Sequence, residues 1–208
     1  WSVKQAGERV ISALNSWLYA QSRRSQYRYD RDRGYVCTFS ALVVKSTTAH
    51  LFHVGDARIY RVHRRSLEQL TVAHRAWLGE QSQLTRALGV NERLDIDYQS
   101  LALEVGEVFL LATDGVYEFI DPARVGELID AHDGDLQRAA DALVAEALAN
   151  GSDDNLTAQL LRIDSLPNGQ AAELHRQFAD LPLPPVLEPG KAIDGLRVIR
   201  QLHASARS

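Results

Sequence analysis

Three short acidic turns in the sequence each place an aspartate beside an apolar run of strand length. Asp114 follows VFLLAT, Asp154 comes after Asp153 and precedes NLTAQLL, and Asp56 follows LFHV in the turn VGDAR. If the flanking strands are neighbours, these carboxylates can share a hard divalent cation, which takes oxygen ligands and keeps waters. Aspartates in such turns also commonly accept hydrogen bonds from their own backbone or cap helices. The residues alone leave both interpretations open.

Other catalytic chemistries have little support in the sequence. The seven histidines include no HExxH spacing, which a zinc hydrolase of that type would need. The glycines form neither a GxGxxG nor a GxxxxGKS/T loop, so no phosphate cradle of those kinds is indicated. Ser40, Ser46 and Ser82 lack a GxSxG context, which disfavours a serine hydrolase.

Three residues near the acidic turns have structural interpretations. His53 could approach the Asp56 turn, but a hydrogen-bonded strand histidine is the favoured interpretation. Arg58 is expected to pair with Asp56. Cys37 is the single cysteine and lies in the apolar run VCTFSALVV, which predicts a buried thiol. One cysteine excludes both a disulfide framework and a cysteine-based zinc site within one chain.

Length and composition place these turns in an ordinary globular protein. The 208 residues suffice for one domain and a tail, and 45% hydrophobic with 24% charged residues is typical of a chain that forms a core. The net charge of −4 disfavours a nucleic-acid partner. No apolar run long enough for a membrane span and no signal-peptide layout occur, which predicts a cytoplasmic location. Methionine is absent, which suggests a piece of a longer chain.

The first third of the chain predicts a helix followed by strands. Apolar residues recur every three or four positions over residues 3–18, which indicates an amphipathic helix. Residues 21–35 mix arginine, tyrosine and aspartate without a period, and we interpret them as a solvated loop rather than a nucleic-acid contact. The runs YVCTFSALVV, AHLFHV and IYRV predict an antiparallel meander.

The sequence from residue 71 to residue 163 predicts a series of loops, helices and strands. Residues 71–83 predict a loop with a helical turn, 84–88 a short helix closed by Gly89, and 94–103 a strand. VFLLA at 108–112 is a strand buried on both faces. Asp121 and Pro122 begin a helix to about residue 129, and Asp133 or Asp135 caps a second helix that Asn150 closes. An alternating strand over 156–160 ends the domain near residue 163.

The order of motifs resembles a known family. HVGDARIYR, LEQLT, LTRALG, GEVFLLATDGVYEF and GSDDNLTAQL occur in the order found in the metal-dependent serine/threonine protein phosphatases of type 2C, in their bacterial form. The resemblance covers about Tyr35 to Ile163. It implies an α+β fold, a four-layer β-sandwich of two antiparallel sheets flanked by helices. It also implies phosphoserine and phosphothreonine substrates in proteins and two or three Mn²⁺ or Mg²⁺ ions.

The resemblance assigns roles to the three aspartates. Asp114 and Asp154 match metal ligands of the family, and Asp56 matches an aspartate associated with a third, more weakly held metal. Two cations that bridge a water lower its pKa and neutralise charge on the phosphoryl oxygens, so neither a phosphoenzyme nor a cysteine nucleophile is required.

Several departures from the family pattern favour an alternative, a non-catalytic regulatory module or pseudophosphatase that controls a fused or partner kinase. The family's upstream acidic strand, its metal-binding DG turn and its phosphate-gripping basic residue have no counterpart after Trp1. Glu118, four positions after Asp114, is longer than the usual acidic residue there. The acid usual before the histidine of an LTEDH-type motif is replaced in LTVAHR.

The resemblance divides the chain into three parts. Residues 1–164 form a phosphatase-like domain without its N-terminal strands. Residues 165–192 form a linker with a weak helix AAELHRQFADL and the run PLPPVLEPGK, which contains four of the six prolines. Residues 193–208 resemble the opening strand of a serine/threonine kinase domain, as in fused phosphatase–kinase proteins. HASARS lacks the glycines of a kinase loop, so that second resemblance rests on the strand alone.

Overall fold

The computed structural model has four layers, with two antiparallel β-sheets face to face and helices on both outer sides. It describes residues 2–26, 28, 34–63, 66–78, 81–132, 134–167, 190, 192–193, 196–197 and 199–200. No described helix is both long and apolar enough to cross a membrane. The fold class predicted from the sequence is confirmed.

Helix α1 covers the outer face of the first sheet. It spans Val3–Arg24, and its N-cap Ser2 accepts a hydrogen bond from the backbone of Gln5. The predicted helix is therefore confirmed, but the loop predicted for residues 21–35 is wrong at its start, because the helix continues to Arg24. Residues 27 and 29–33 lie outside the described part. A Cβ at Gly7 would lie 2.3 Å from the ring of Phe52, so this glycine lets the helix backbone lie on the sheet.

The first sheet has three strands and the second has four. The first sheet has the order β1 (Phe39–Lys45), β2 (Thr48–Val54), β7 (Asp97–Ala102), and the second has β4 (Ser66–Gln69), β3 (Arg58–His63), β8 (Val108–Ala112), β9 (Ala158–Arg162). The predicted strands are confirmed, but the predicted meander is wrong at its third strand. Gly55, at φ +116°, turns the chain after β2, and β3 enters the other sheet instead of pairing with β2.

Residues 71–88 differ most from expectation. A hairpin of β5 (Arg75–Leu78) and β6 (Gln81–Leu84) replaces the predicted loop with a helical turn. The predicted helix at 84–88 is absent, because Leu88 instead pairs its backbone with Cys37. Cys37 is exposed, so the predicted buried thiol is also wrong; strand β1 begins only at Phe39, and Cys37 precedes it.

Helices α2, α3 and α4 cover the second sheet. α2 is the short turn Asp114–Tyr117, α3 spans Pro122–Ala131, and α4 spans Leu136–Ala149. The predicted caps are confirmed: the side chains of Asp121 and Asp135 accept hydrogen bonds from the first turns of α3 and α4, and Asn150 ends α4. Of the two capping aspartates left open for α4, Asp135 is the one used.

Three apolar clusters lie between the four layers. The cluster between the sheets contains Ala49, Leu51, Ile59, Leu103, Phe109 and Ile163. The cluster under α3 and α4 contains Tyr60, Leu110, Val116, Ile120, Val125, Leu128 and Leu143, and the one under α1 contains Ile11, Phe52, Val54 and Leu88. Alternate residues of β2 and β8 supply two clusters each, as expected of strands covered on both faces.

The C-terminal predictions fall largely outside the described residues. β10 (Ala192–Ile193) and β11 (Leu196–Arg197) form a small hairpin. The predicted helix AAELHRQFADL, most of the linker 165–192 and most of the kinase-like segment 193–208 lie outside the described part of the chain. Those assignments stay predictions.

Candidate functional site

The strand register brings the three acidic turns to one end of the second sheet. Arg58 pairs with Ala112 across β3 and β8, and Ala112 pairs with Ala158 across β8 and β9. Asp56 lies two residues before Arg58, and Asp114 lies two residues after Ala112. Asp154 lies in the loop that enters β9. The juxtaposition that the sequence left open is therefore present.

The Asp114 and Asp154 turns are held against each other by hydrogen bonds of the Thr113 hydroxyl and by a close approach at Gly115. The hydroxyl of Thr113 donates to the carbonyl of Asn155 at 2.9 Å and accepts from the Thr157 N–H at 3.0 Å. A Cβ at Gly115 would lie 2.8 Å from the Asn155 carbonyl oxygen and 3.2 Å from the Asp154 Cβ. Only glycine therefore allows this close approach, which puts the Asp154 side chain beside the Asp114 turn.

Arg75 lies between three carboxylates. Its Nε donates to Asp56 Oδ2 at 2.7 Å, its Nη1 donates to Glu118 Oε1 at 3.0 Å, and its Nη2 donates to Asp114 Oδ2. Each guanidinium nitrogen thus binds a different carboxylate. The side chains of Arg75, Asp56 and Asp114 are 26%, 15% and 21% exposed, so this cluster is largely removed from water.

The backbone before Arg75 is clamped to the Asp56 turn. His74 donates its N–H to the Gly55 carbonyl at 2.7 Å, and Gly55 returns its N–H to His74 Nδ1 at 3.0 Å. Because Nδ1 accepts, Nε2 carries the ring proton and donates to Asp97 Oδ2 at 2.9 Å. This arrangement fixes the start of β5 and directs Arg75 toward the carboxylates.

The electrostatics of the cluster favour a charged Arg75. Burial disfavours the cation, but the hydrogen bond and charge of Asp56 and the charge of Asp114 outweigh it and raise the pKa of Arg75. Three carboxylates and one guanidinium sum to −3 + 1 = −2 for the group when all are ionised. The arginine therefore neutralises part of the charge that these side chains would otherwise present to each other.

Tyr117 and Arg58 complete the wall of the cluster. Burial raises the pKa of Tyr117 to about 12, so the phenol stays protonated and donates to the Asp56 carbonyl at 3.0 Å. The Arg58 guanidinium lies 3.9 Å from the centre of the Tyr117 ring and donates to the Tyr60 hydroxyl at 3.2 Å. The predicted Arg58–Asp56 pair is therefore wrong, because Arg58 lies on the Tyr117 ring and Arg75 is the ion-pair partner of Asp56.

The carboxylates differ in how well they suit a divalent cation. Among the described residues, Asp114 Oδ1 accepts only from its neighbour Gly115, and the exposed Asp154 accepts only from Asn155, so both keep lone pairs for a hard cation that also retains waters. Asp56 and Glu118 each accept from Arg75, as Asp114 does through Oδ2, so the guanidinium occupies the space between these three carboxylates. Within the described residues, no three histidine, cysteine or acidic side chains are placed to hold a metal together. The Asp114–Asp154 pair fits such a cation as a partial ligand set, whereas the set that contains Asp56 does not.

His53 is the hydrogen-bonded strand histidine that the sequence favoured. It is 1% exposed, with Nε2 donating to the Val72 carbonyl at 3.0 Å and Nδ1 lying 2.8 Å from the Ser40 hydroxyl. Burial and the neighbouring His74 lower its pKa, against the opposing effects of the Val72 carbonyl and Asp97. The ring is therefore neutral in the folded protein under conditions in which an exposed histidine is partly charged.

This buried histidine predicts a loss of stability in mild acid. The unfolded chain takes up a proton near pH 6.5, about the ordinary histidine pKa, while folded His53 stays neutral until a lower pH. The contribution of neutral His53 to stability is complete above about pH 6.5 and is lost as the pH falls from there toward the folded-state pKa. We expect the urea midpoint of the native protein to fall more between pH 7.5 and 5.5 than that of His53→Gln. Equal falls in both proteins would contradict this assignment.

Sequence reasoning missed the residue at the centre of the site. The change in LTVAHR was recognised as a departure, but Arg75 itself was not identified as a partner of the acidic turns. A signal was present, because Arg75 directly follows the histidine of LTVAHR, a motif that has lost the acid usual before that histidine. The ion pairs, however, join residues 19 to 43 positions apart, which a local pattern cannot reveal.

Comparisons with known proteins match most of the described chain. A family model described as Stage II sporulation protein E (SpoIIE) matches residues 4–164. The chain is 26% identical to the serine/threonine phosphatase stp of Listeria monocytogenes, over 74% of this chain and 65% of that protein. It is 24% identical to the protein phosphatase PhpP of Streptococcus pneumoniae, over 64% of this chain and 60% of that protein. The chain thus spans just under two thirds of the length of these relatives.

Solved structures share the four-layer fold. PppA, described as a key regulatory component of T6SS in Pseudomonas aeruginosa, superposes with a TM-score of 0.63 at 25% identity, over 73% of this chain and 66% of that one. The serine/threonine phosphatase Stp1 from Staphylococcus aureus superposes with a TM-score of 0.67 at 23% identity, over 79% and 70%. At that identity, the likeness to Stp1 shows the fold alone.

Proposed function

This chain belongs to the family described as Stage II sporulation protein E (SpoIIE), and from that premise we propose that it hydrolyses phosphoserine and phosphothreonine in proteins with the help of divalent cations. The resemblance to bacterial type 2C phosphatases is confirmed at the level of family. The observation that carries the proposed activity is the convergence of the Asp114 and Asp154 turns at one end of the second sheet.

The residues of this chain would perform three tasks in that reaction. Asp114 and Asp154 would hold Mn²⁺ or Mg²⁺ through carboxylate oxygens, which such hard cations prefer. Thr113 and Gly115 fix the distance between the two turns, so the carboxylates need not reorganise when a cation binds. When bound, the cations supply the Lewis acidity that activates water for in-line attack on phosphorus.

The partners in this proposal follow from the relatives. The phosphatase names of the Listeria and Streptococcus proteins support phosphoprotein substrates for this chain. Two metal ions, a third at Asp56, a cytoplasmic location and a serine/threonine kinase domain beginning in residues 193–208 stay predictions from the sequence. The activity of the whole protein is likewise a proposal, because the chain spans 65% of the Listeria relative.

A specific observation favours a second candidate, the non-catalytic regulatory module. Arg75 binds Asp114, one of the two carboxylates proposed to hold metal, and ties it to Asp56 and Glu118. A carboxylate that serves an internal ion pair is a weaker ligand for an external cation. In such a module, the same fold would bind or restrain a kinase partner without turnover.

Hydrolysis of a small aryl phosphate separates the two candidates. We expect the full-length protein to hydrolyse p-nitrophenyl phosphate in the presence of Mn²⁺, to stop when a chelator is added, and to resume when Mn²⁺ is restored, because the water must be activated by a bound cation. The release of nitrophenolate measures the rate. Absence of turnover at every Mn²⁺ concentration would favour the regulatory module, and turnover indifferent to chelator would contradict the metal mechanism.

A further inference from the structure

We propose that the Arg75 guanidinium is the resident cation of the cluster formed by Asp56, Asp114 and Glu118, which we call the arginine cluster. In this proposal the chain supplies from its own side chain the positive charge that the sequence resemblance assigned to a third metal ion at Asp56. The inference deepens the proposed function and rests on it for the cations at Asp114 and Asp154. It predicts that Asp56 and Glu118 take up no divalent cation while Arg75 is present, whereas Asp114 keeps Oδ1 for the cation that it shares with Asp154.

The hydrogen-bond geometry supports this role for Arg75. All three types of guanidinium nitrogen are used, and each donates to a separate carboxylate, so the planar group is matched to the cluster rather than paired with one acid. A metal would need oxygens of the same carboxylates at closer range than a hydrogen bond. It could enter only if Arg75 left and gave up three charge-assisted hydrogen bonds.

Hydrogen bonds of the neighbouring residue His74 hold the backbone at Arg75 in place, independently of the contacts of the Arg75 side chain. The paired hydrogen bonds between His74 and Gly55 tie the residue before Arg75 to the residue before Asp56. Asp97 accepts from the His74 ring on its other side and also accepts from Arg86 at 2.7 Å. The start of β5 is therefore fixed, and it directs Arg75 toward the arginine cluster. A surface arginine that meets acids by chance has no such support.

The charge of arginine suits a permanent occupant. A guanidinium stays protonated at all physiological pH values. Lysine could supply the charge but could not bind three separated carboxylates with three planar donors. A divalent ion, in contrast, exchanges with solvent and depends on its free concentration. The charge balance of Asp56 and Glu118 is thus independent of metal supply, and only the Asp114–Asp154 pair is sensitive to it.

Counting bound Mn²⁺ tests the inference without reference to turnover. Apo full-length protein is titrated with Mn²⁺, and free Mn²⁺ is read by electron paramagnetic resonance. We expect Arg75→Ala to bind about one more ion per chain than the native protein, because the carboxylates that the guanidinium held apart are then free to move together around a metal. The added ion should disappear when Asp56→Asn is combined with Arg75→Ala. Asp56→Asn alone should leave the native count unchanged.

Two outcomes would overturn the inference. If Asp56→Asn alone lowers the native count, the cluster already holds a metal; if Arg75→Ala gains no ion, the arginine does not stand in for one. Thermal unfolding of each variant shows that it is folded, and Arg75→Lys, which keeps the positive charge, serves as a second variant expected to retain the native count. A native protein with no turnover would contradict the phosphatase proposal, yet the difference in Mn²⁺ count between Arg75→Ala and the native protein would still decide this inference.

Discussion

Replacing Asp114 and Asp154 together with asparagine is expected to lower Mn²⁺-dependent hydrolysis of p-nitrophenyl phosphate by the full-length protein by roughly 100-fold or more. The carboxamide keeps the size of the side chain and an acceptor oxygen but loses the charge that holds a hard cation. Because the Thr113–Asn155 hydrogen bond and the Gly115 approach involve neither carboxylate, the two turns should keep their positions. Initial rates over a series of Mn²⁺ concentrations measure the effect.

A matched control lies one residue away from Asp154. Asp153 is exposed in the same turn, so Asp153→Asn makes the same chemical change and removes the same charge without touching the proposed ligand. It should leave the rate within about twofold of the native value, since surface substitutions away from special features have small effects. Retained activity in the double variant, or an equal loss in Asp153→Asn, would show that the two carboxylates do not hold the cation.

The parts of the fold that the sequence predicted are those set by local chemistry. VFLLA forms β8 because a short run of apolar residues covered on both faces has few alternatives. Asp121 with Pro122 begins α3 because the aspartate accepts a backbone N–H and proline needs none at that position. The site follows the same logic in part, since Asp114 and Asp154 meet once β8 and β9 pair.

The parts that the sequence did not predict depend on contacts between distant segments. Residues 84–88 carry a helix-like pattern, yet the backbone pairing of Leu88 with Cys37 overrides that weak preference. The β5–β6 hairpin likewise begins where His74 is tied to Gly55, about twenty residues earlier in the chain. Arg75 reaches its three carboxylates only because of that tie. Local periodicity contains no information about such pairings, so the cation at the centre of the site escaped prediction.

Asn15 is a buried polar residue whose role also depends on a distant segment. It lies on α1, is 1% exposed, and binds three backbone groups of one loop. Its Nδ2 donates to the carbonyls of Asn91 and Glu92 at 3.0 and 3.2 Å, and its Oδ1 accepts the Gly89 N–H at 2.8 Å. The Asn15 amide thus supplies hydrogen-bond partners for backbone groups of the loop that would otherwise bond to water or to a neighbouring strand.

Substituting Asn15→Leu is therefore expected to destabilise the protein by about 3 kcal/mol, because a side chain of similar size leaves the buried Gly89 N–H and two carbonyls without their partner. For a domain of this size, the thermal midpoint should fall by roughly 6–12 °C. Ser12→Leu is the matched control, since Ser12 is exposed three residues earlier on the same helix and should change stability by no more than about 0.5 kcal/mol. Chemical denaturation of the three proteins measures the difference, and equal stabilities for both leucine variants would mean that α1 is held by its apolar contacts alone.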